Sequence, residues 1–315
     1  MMNRRTALAM LAAALGLRPF HLAAQSFDVR GRKAMPKPQP TLPSRAPCLN
    51  FLVVGDWGTG GKLQRRVAAG MSAVAQKMAI TGIISTGDNF YPDGVSSAED
   101  SQWKTKFEDI YNLPGLDVPW YPVLGNHDYR LSAQAQVEYG KRNPLWKMPA
   151  LWSKHDFTVV DETKVAVFAL DTQAILQKMD GWKEQVRWFD QTVRSSRARH
   201  KIVVGHHPLR SYGHYGDQDW LYDAIAPSMM SGGAYLYLCG HDHDMQVVQH
   251  PDDPFTCLVS GAGGGARATV WGKHTKMAHT NGGFAAVCLA RNDVEVQVFD
   301  ADGTMLWAGL VGDGS

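Results

Sequence analysis

The chain has 315 residues, 44% of them hydrophobic and 20% charged, which is ordinary for a globular protein with room for one large domain or two small ones. Its net charge of +2, without a long run of Lys or Arg, leaves no electrostatic footprint for nucleic acid. The four cysteines, Cys48, Cys239, Cys257 and Cys288, include no Cys-x-x-Cys pair, which excludes a paired-cysteine zinc site. The last three fall in predicted strands and read as small buried apolar residues; four cysteines allow three disulfide pairings, which the sequence does not rank.

The N-terminus opens with Met1-Met2-Asn3-Arg4-Arg5, followed by an apolar run from Ala7 to Leu17 and a small-residue site at Leu22-Ala23-Ala24. The run is too short to span a bilayer, and the layout is that of a secretory signal peptide over residues 1–25, with Arg4-Arg5 hinting at the twin-arginine route. Residues 26–47 carry Pro36, Pro38, Pro40, Pro43 and Pro47 among polar and basic residues and read as an extended linker. An exported protein, periplasmic or secreted, with no stable membrane anchor after processing, is expected. Residues 48–315 show one composition regime and no internal repeat, so they read as one domain.

In chain order, Asn50–Val54 is a buried strand that ends at Gly55-Asp56-Trp57-Gly58. Leu63, Val67, Met71, Val74 and Met78 recur at helical spacing. Ile83-Ile84 then leads into Gly87-Asp88-Asn89-Phe90-Tyr91, completing a β-α-β unit with Asp56 and Asp88 at the same strand ends. Trp103, Phe107, Ile110 and Tyr111 mark a second helix, and Trp120–Leu124 is a strand ending at Gly125-Asn126-His127-Asp128. No element is predicted between 131 and 155. Phe157–Val160 and Lys164–Leu170 read as a hairpin across Asp161-Glu162, and Trp182, Val186, Phe189 and Val193 as a third helix. Lys201–Val204 ends at Gly205-His206-His207, Tyr235–Cys239 at Gly240-His241-Asp242-His243, and Phe255–Val259 at a glycine-rich turn. Phe284–Leu289, Val294–Val298 and Met305–Leu310 form a meander.

Five times a buried strand ends in Gly followed closely by Asp, Asn or His: at Asp56, Asp88, Asn126, His206, and His241 with His243. Oxygen ligands and imidazoles collected at one sheet edge suit hard or borderline metals. They are too many for one ion; two ions about 3.5–4 Å apart sharing a carboxylate would use them all.

These blocks resemble, in order, those of the metallophosphoesterase superfamily and, within it, the purple acid phosphatases of the small, mammalian (tartrate-resistant) type. The likeness rests on Asp56-Trp57-Gly58, Gly87-Asp88-Asn89-Phe90-Tyr91, Gly125-Asn126-His127-Asp128, Val203-Val204-Gly205-His206 and Gly240-His241-Asp242-His243. Most of the superfamily has Asp-x-His in the first block; here Gly58 stands in that place and Tyr91 is the expected substitute. The resemblance implies an α/β fold: a four-layer αββα sandwich of two mixed β-sheets flanked by helices, its site at strand C-terminal ends. It implies Asp56, Tyr91 and His243 on an Fe(III), Asn126, His206 and His241 on a divalent Fe, Zn or Mn, and Asp88 between them. It implies an acid phosphatase that cleaves phosphate monoesters, of small molecules or phosphoproteins, by in-line attack of metal-bound hydroxide. His127 is similar to a substrate-contacting histidine of the family and His214 falls near another; either is a candidate proton donor to the leaving group. His207, next to His206, is expected to point away from the metals by strand alternation, and Asp128 to orient a ligand from behind. A phosphodiesterase with Zn or Mn in both positions, an iron redox protein and a pure binding module are the competing readings. Oligomeric state leaves no mark in the sequence.

Overall fold

The apolar run Leu49–Val54 forms strand β1, and its side chains alternate between two buried faces. In this computed structural model, which describes residues 48–159 and 161–311, the helix α1 (Lys62–Ala75) follows and β2 (Gly82–Ser85) returns parallel to β1, with Val54 opposite Ser85. A π-helix (Trp103–Glu108) runs into α2 (Asp109–Tyr111), and β3 (Trp120–Pro122) adds a third parallel strand. After a 3-10 turn (Asp128–Arg130) come α3 (Ala133–Arg142), β4 (Ser153–Thr158), β5 (Lys164–Ala169), α4 (Thr172–Leu176) and α5 (Trp182–Ser195). The chain continues through β6 (His200–Val204), α6 (Asp219–Gly232), β7 (Leu236–Cys239), β8 (Met245–Val248), β9 (Thr256–Ser260) and β10 (Thr275–His279). It closes with β11 (Gly283–Leu289), β12 (Val294–Asp300) and β13 (Met305–Leu310).

The strands make two mixed sheets, ordered β13-β12-β11-β1-β2-β3 and β10-β8-β9-β7-β6-β5-β4. Alternation along β1 shows the layering. Leu52 and Val54 pack outward with Val67, Met71, Phe107 and Trp120, the helical side of the first sheet. Phe51 points the other way, with its ring 5.0 Å from that of Phe157 in the second sheet. The second sheet buries Phe168, Val203 and Tyr237 against Phe189 and Val193 of α5 and Leu221, Ile225 and Met229 of α6. Helices, sheet, sheet and helices therefore form four layers, as expected.

Several sequence expectations need correction. The segment read as irregular contains α3, whose N-terminus is capped by Ser132 Oγ accepting from Ala135 N at 3.2 Å. The first hairpin strand is Ser153–Thr158, earlier than Phe157–Val160, because it pairs with β5 from Ser153 opposite Ala169 to Thr158 opposite Lys164. The helices α4 and α6 and the strands β8 and β10 were not anticipated. The expected leader (1–25) and linker (26–47) lie outside the described residues. Among those described, no helix is long and apolar enough to cross a membrane.

Candidate metal centre

Two parallel β-α-β arrangements deliver the site. The loops after β1, β2 and β3 carry Asp56, Asp88 with Tyr91, and Asn126; those after β6 and β7 carry His206, and His241 with His243. The ligand-type residues thus come from the ends of two sheets, not from one edge. Asp56 (φ 55), Asp88 (φ 48) and His241 (φ 66) are left-handed, and residues with a Cβ reach that region only at a cost of roughly 1–2 kcal/mol. The turns that aim these side chains are held against local preference. The flanking glycines make room. A Cβ on Gly125 would lie 2.2 Å from Asp88 Oδ1, and one on Gly240 2.3 Å from Asp56 Oδ2. Glycine precedes the ligand in these loops because a neighbouring carboxylate occupies the space a side chain would need.

The seven predicted metal residues converge. Tyr91 Oη is 2.9 Å from Asp56 Oδ1, 2.7 Å from Asp88 Oδ2 and 3.1 Å from His243 Nε2. His243 Nε2 lies 3.3 Å from Asp56 Oδ1. On the other side His206 Nε2 is 3.2 Å from Asn126 Oδ1, 3.2 Å from His241 Nδ1 and 3.5 Å from Asp88 Oδ2. Asp88 touches both groups, and its Oδ2 faces Tyr91 and His206 alike. Backbone donors hold the remaining oxygens: His241 N to Asp56 Oδ2 at 2.9 Å and His127 N to Asp88 Oδ1 at 2.8 Å. His206 Nδ1 is 2.9 Å from Thr86 O, which fixes the ring and turns a bare Nε2 inward.

The charge balance calls for a cation. Asp56, Asp88 and His206 are fully buried, and Tyr91, Asn126, His241 and His243 half-buried, so one side of the cluster opens to solvent. Among the described residues no Lys or Arg pairs with Asp56 or Asp88; their charged neighbours are histidines. Burial, then the Asp56 and Asp88 charges, push the Tyr91 phenol well above its usual range. Burial and the charge of His206 and His243 pull His241 down to about 2, so it is a neutral imidazole. Burial opposes protonation of His206, but Asp88 and Asp56 outweigh it and raise the group. Two buried carboxylates, a phenol and neutral nitrogen and amide donors fit two hard or borderline cations sharing Asp88.

Around this cluster, Asp128 is buried and accepts from Asn89 N at 3.1 Å, Gly125 N at 2.8 Å and Gln136 Nε2 at 2.8 Å, tying the Asp88 loop to the Asn126 loop. His127 Nδ1 is 2.5 Å from Pro92 O, and its Nε2 lies 4.0 Å from Asp88 Oδ2, on the rim of the cluster. His207 departs from expectation. Gly205 ends the strand alternation, and the His207 ring lies 4.5 Å from that of His241, on the same side. Its Nδ1 is 2.9 Å from Thr172 Oγ1, which also accepts from His206 N and His207 N. His214 is exposed, with its ring 4.8 Å from Tyr215, and Tyr215 itself stacks on His241 at 4.0 Å. Thr172 and Tyr215 had drawn no attention in the sequence. Neither is a ligand type at a strand end, although Tyr215 adjoins the singled-out His214.

Ligand-type residues gathered at the C-terminal ends of two mixed sheets fit a metal-dependent phosphoesterase, and the relatives agree. A profile of the calcineurin-like phosphoesterases matches residues 49–245. Purple acid phosphatase 17 of Arabidopsis thaliana is 35% identical over 283 residues, covering 82% of each chain. Human tartrate-resistant acid phosphatase type 5 is 32% identical, covering 70% of this chain and 76% of its own. Among solved structures, a purple acid phosphatase from yellow lupin superposes with a TM-score of 0.63 at 15% identity, over 89% of this chain and 55% of that one. GAP50, the anchor in the inner membrane complex of Plasmodium, gives 0.77 at 24%, over 84% and 89%. The chain belongs to the calcineurin-like phosphoesterase family and, within it, to the purple acid phosphatases.

Proposed function

We propose that the protein is an exported acid phosphatase that hydrolyses phosphate monoesters at a dinuclear centre of Fe(III) and a divalent Fe, Zn or Mn. The observation that carries this reading is the meeting of seven donor side chains, two of them buried carboxylates that no Lys or Arg among the described residues neutralises. Asp56, Tyr91 and His243 would hold the trivalent ion, Asn126, His206 and His241 the divalent one, and Asp88 both. The split follows donor chemistry. A phenol held well above its usual range gives up its proton only to a cation of high charge, whereas an amide and two imidazoles suit a divalent ion. When bound, such a pair acidifies water and screens the charge of a phosphate ester.

The chain's own groups do the rest. Asp88 and Asp56 are locked by backbone N–H donors, so their charge is in place before substrate arrives. His127, tethered through Nδ1 to Pro92 O and with Arg130 Nη2 3.4 Å from its Nε2, sits on the open side, where it can give a proton to the leaving alkoxide. His214 stands farther out, behind Tyr215, and is assigned a supporting role at the mouth.

Purified protein should carry two metal ions and a visible charge-transfer band, and it should turn over monoesters faster than diesters. Tyr91→Phe should abolish the band. A colourless wild type with zinc or manganese in both positions would refute the iron assignment, and diester preference would refute the monoesterase reading.

A further inference from the structure

We infer that Arg267, seated against Tyr215, binds a second anionic group of the substrate, carried by the leaving group; this rests on the phosphatase reading above. The glycine-rich loop after β9 folds back onto the metal residues. A Cβ on Gly261 would lie 2.9 Å from Asp56 Oδ2, and one on Gly265 2.8 Å from His243 Nδ1. Arg267 N donates to His243 O at 2.7 Å, which anchors this residue beside the cluster. Its guanidinium Cζ lies 5.3 Å from the centre of the Tyr215 ring, whose own ring stacks on His241.

One guanidinium nitrogen lacks an acceptor among the described residues. Nη1 is shut off from solvent and has no hydrogen-bond partner among the described residues. A desolvated N–H without an acceptor is costly. Such a group is poised for an anion that arrives with a ligand, and the flat fork of Arg matches phosphate or carboxylate. Tyr215 is 43% exposed, so the approach is open. The Tyr215 ring also sets the reach. It contacts both the guanidinium and the His241 ring, so we place the guanidinium beside the donor cluster rather than within it. The substrates favoured are therefore phosphate esters or anhydrides whose leaving group bears a phosphate or a carboxylate.

The test compares wild type, Arg267→Ala and Arg267→Lys as metal-loaded enzymes on p-nitrophenyl phosphate, inorganic diphosphate and 2-phosphoglycolate. For Arg267→Ala, the kcat/KM ratio of a doubly anionic substrate to p-nitrophenyl phosphate should fall about tenfold or more, mainly through KM, with partial recovery in Arg267→Lys. A fall with diphosphate marks phosphate as the second group, and a fall with 2-phosphoglycolate marks carboxylate. An unchanged ratio, or an equal loss on all three, overturns the inference. Calorimetric binding separates its failure from that of the phosphatase reading. In a protein inactive on every ester, tighter binding of diphosphate than orthophosphate, lost in Arg267→Ala, still upholds Arg267, and equal binding refutes it.

Discussion

At the scale of single residues, the site is governed by how closely its carboxylates are packed. Gly240 shows this best, since any Cβ there would overlap Asp56 Oδ2. Gly240→Ala should therefore displace Asp56, and a shift of about 1 Å at a catalytic group costs roughly a hundredfold in rate. We expect phosphatase activity to fall by at least about that factor while the circular dichroism spectrum stays native. Wild-type activity in Gly240→Ala would mean that the Asp56 carboxylate is dispensable. The motif residues were legible in the sequence because such crowding demands Gly before Asp, Asn or His. Thr172 and Tyr215 were not, because a hydroxyl under two backbone N–H groups and a ring stacked on His241 depend on loops whose course no local pattern encodes.

At the scale of elements, the strands were readable wherever an apolar run is continuous, as in β1 and β6, and were missed where it is short, as in β8 and β10. The helix α6 escaped because Pro227 interrupts its pattern, and α3 because only Ala135, Val137 and Tyr139 carry its apolar face. The edge strand β4 carries a titrating group at the junction of the sheets. His155 lies with its ring 4.9 Å from Tyr121 of β3, its Nε2 is 3.0 Å from Ser153 Oγ, and burial lowers it to about 4 despite the nearby Asp156. A folded-state value below the unfolded one means that its contribution is complete above about pH 6.5 and lost as pH falls through about 4. Denaturant unfolding should show wild type losing up to about 3 kcal/mol more than His155→Gln across that interval. Parallel curves for the two proteins would show that His155 titrates normally.

At the scale of the whole molecule, the ligand-type residues join two sheets that otherwise meet through inner faces such as the contact of Phe51 with Phe157. Ions bound there would cross-link the halves and stabilise the native state by mass action. With ions at about a thousand times their dissociation constant the gain is about 4 kcal/mol, or about 10 °C in Tm, for each ion bound. Chelation should lower the midpoint by about that amount, and readdition of metal should restore it. A midpoint unmoved in protein shown to be metal-free would mean that the apolar faces alone hold the sheets together.

The spread of these residues along the chain also dictates a chronology. Asp56 leaves the ribosome well before His243, at about 5–20 residues per second, and β1 meets its neighbour β11 only after the intervening chain is made. A nascent chain can offer an ion no more than fragments of the donor set. Complete donor geometry belongs to folded molecules, so any metal capture by these residues would be an act of maturation that follows folding.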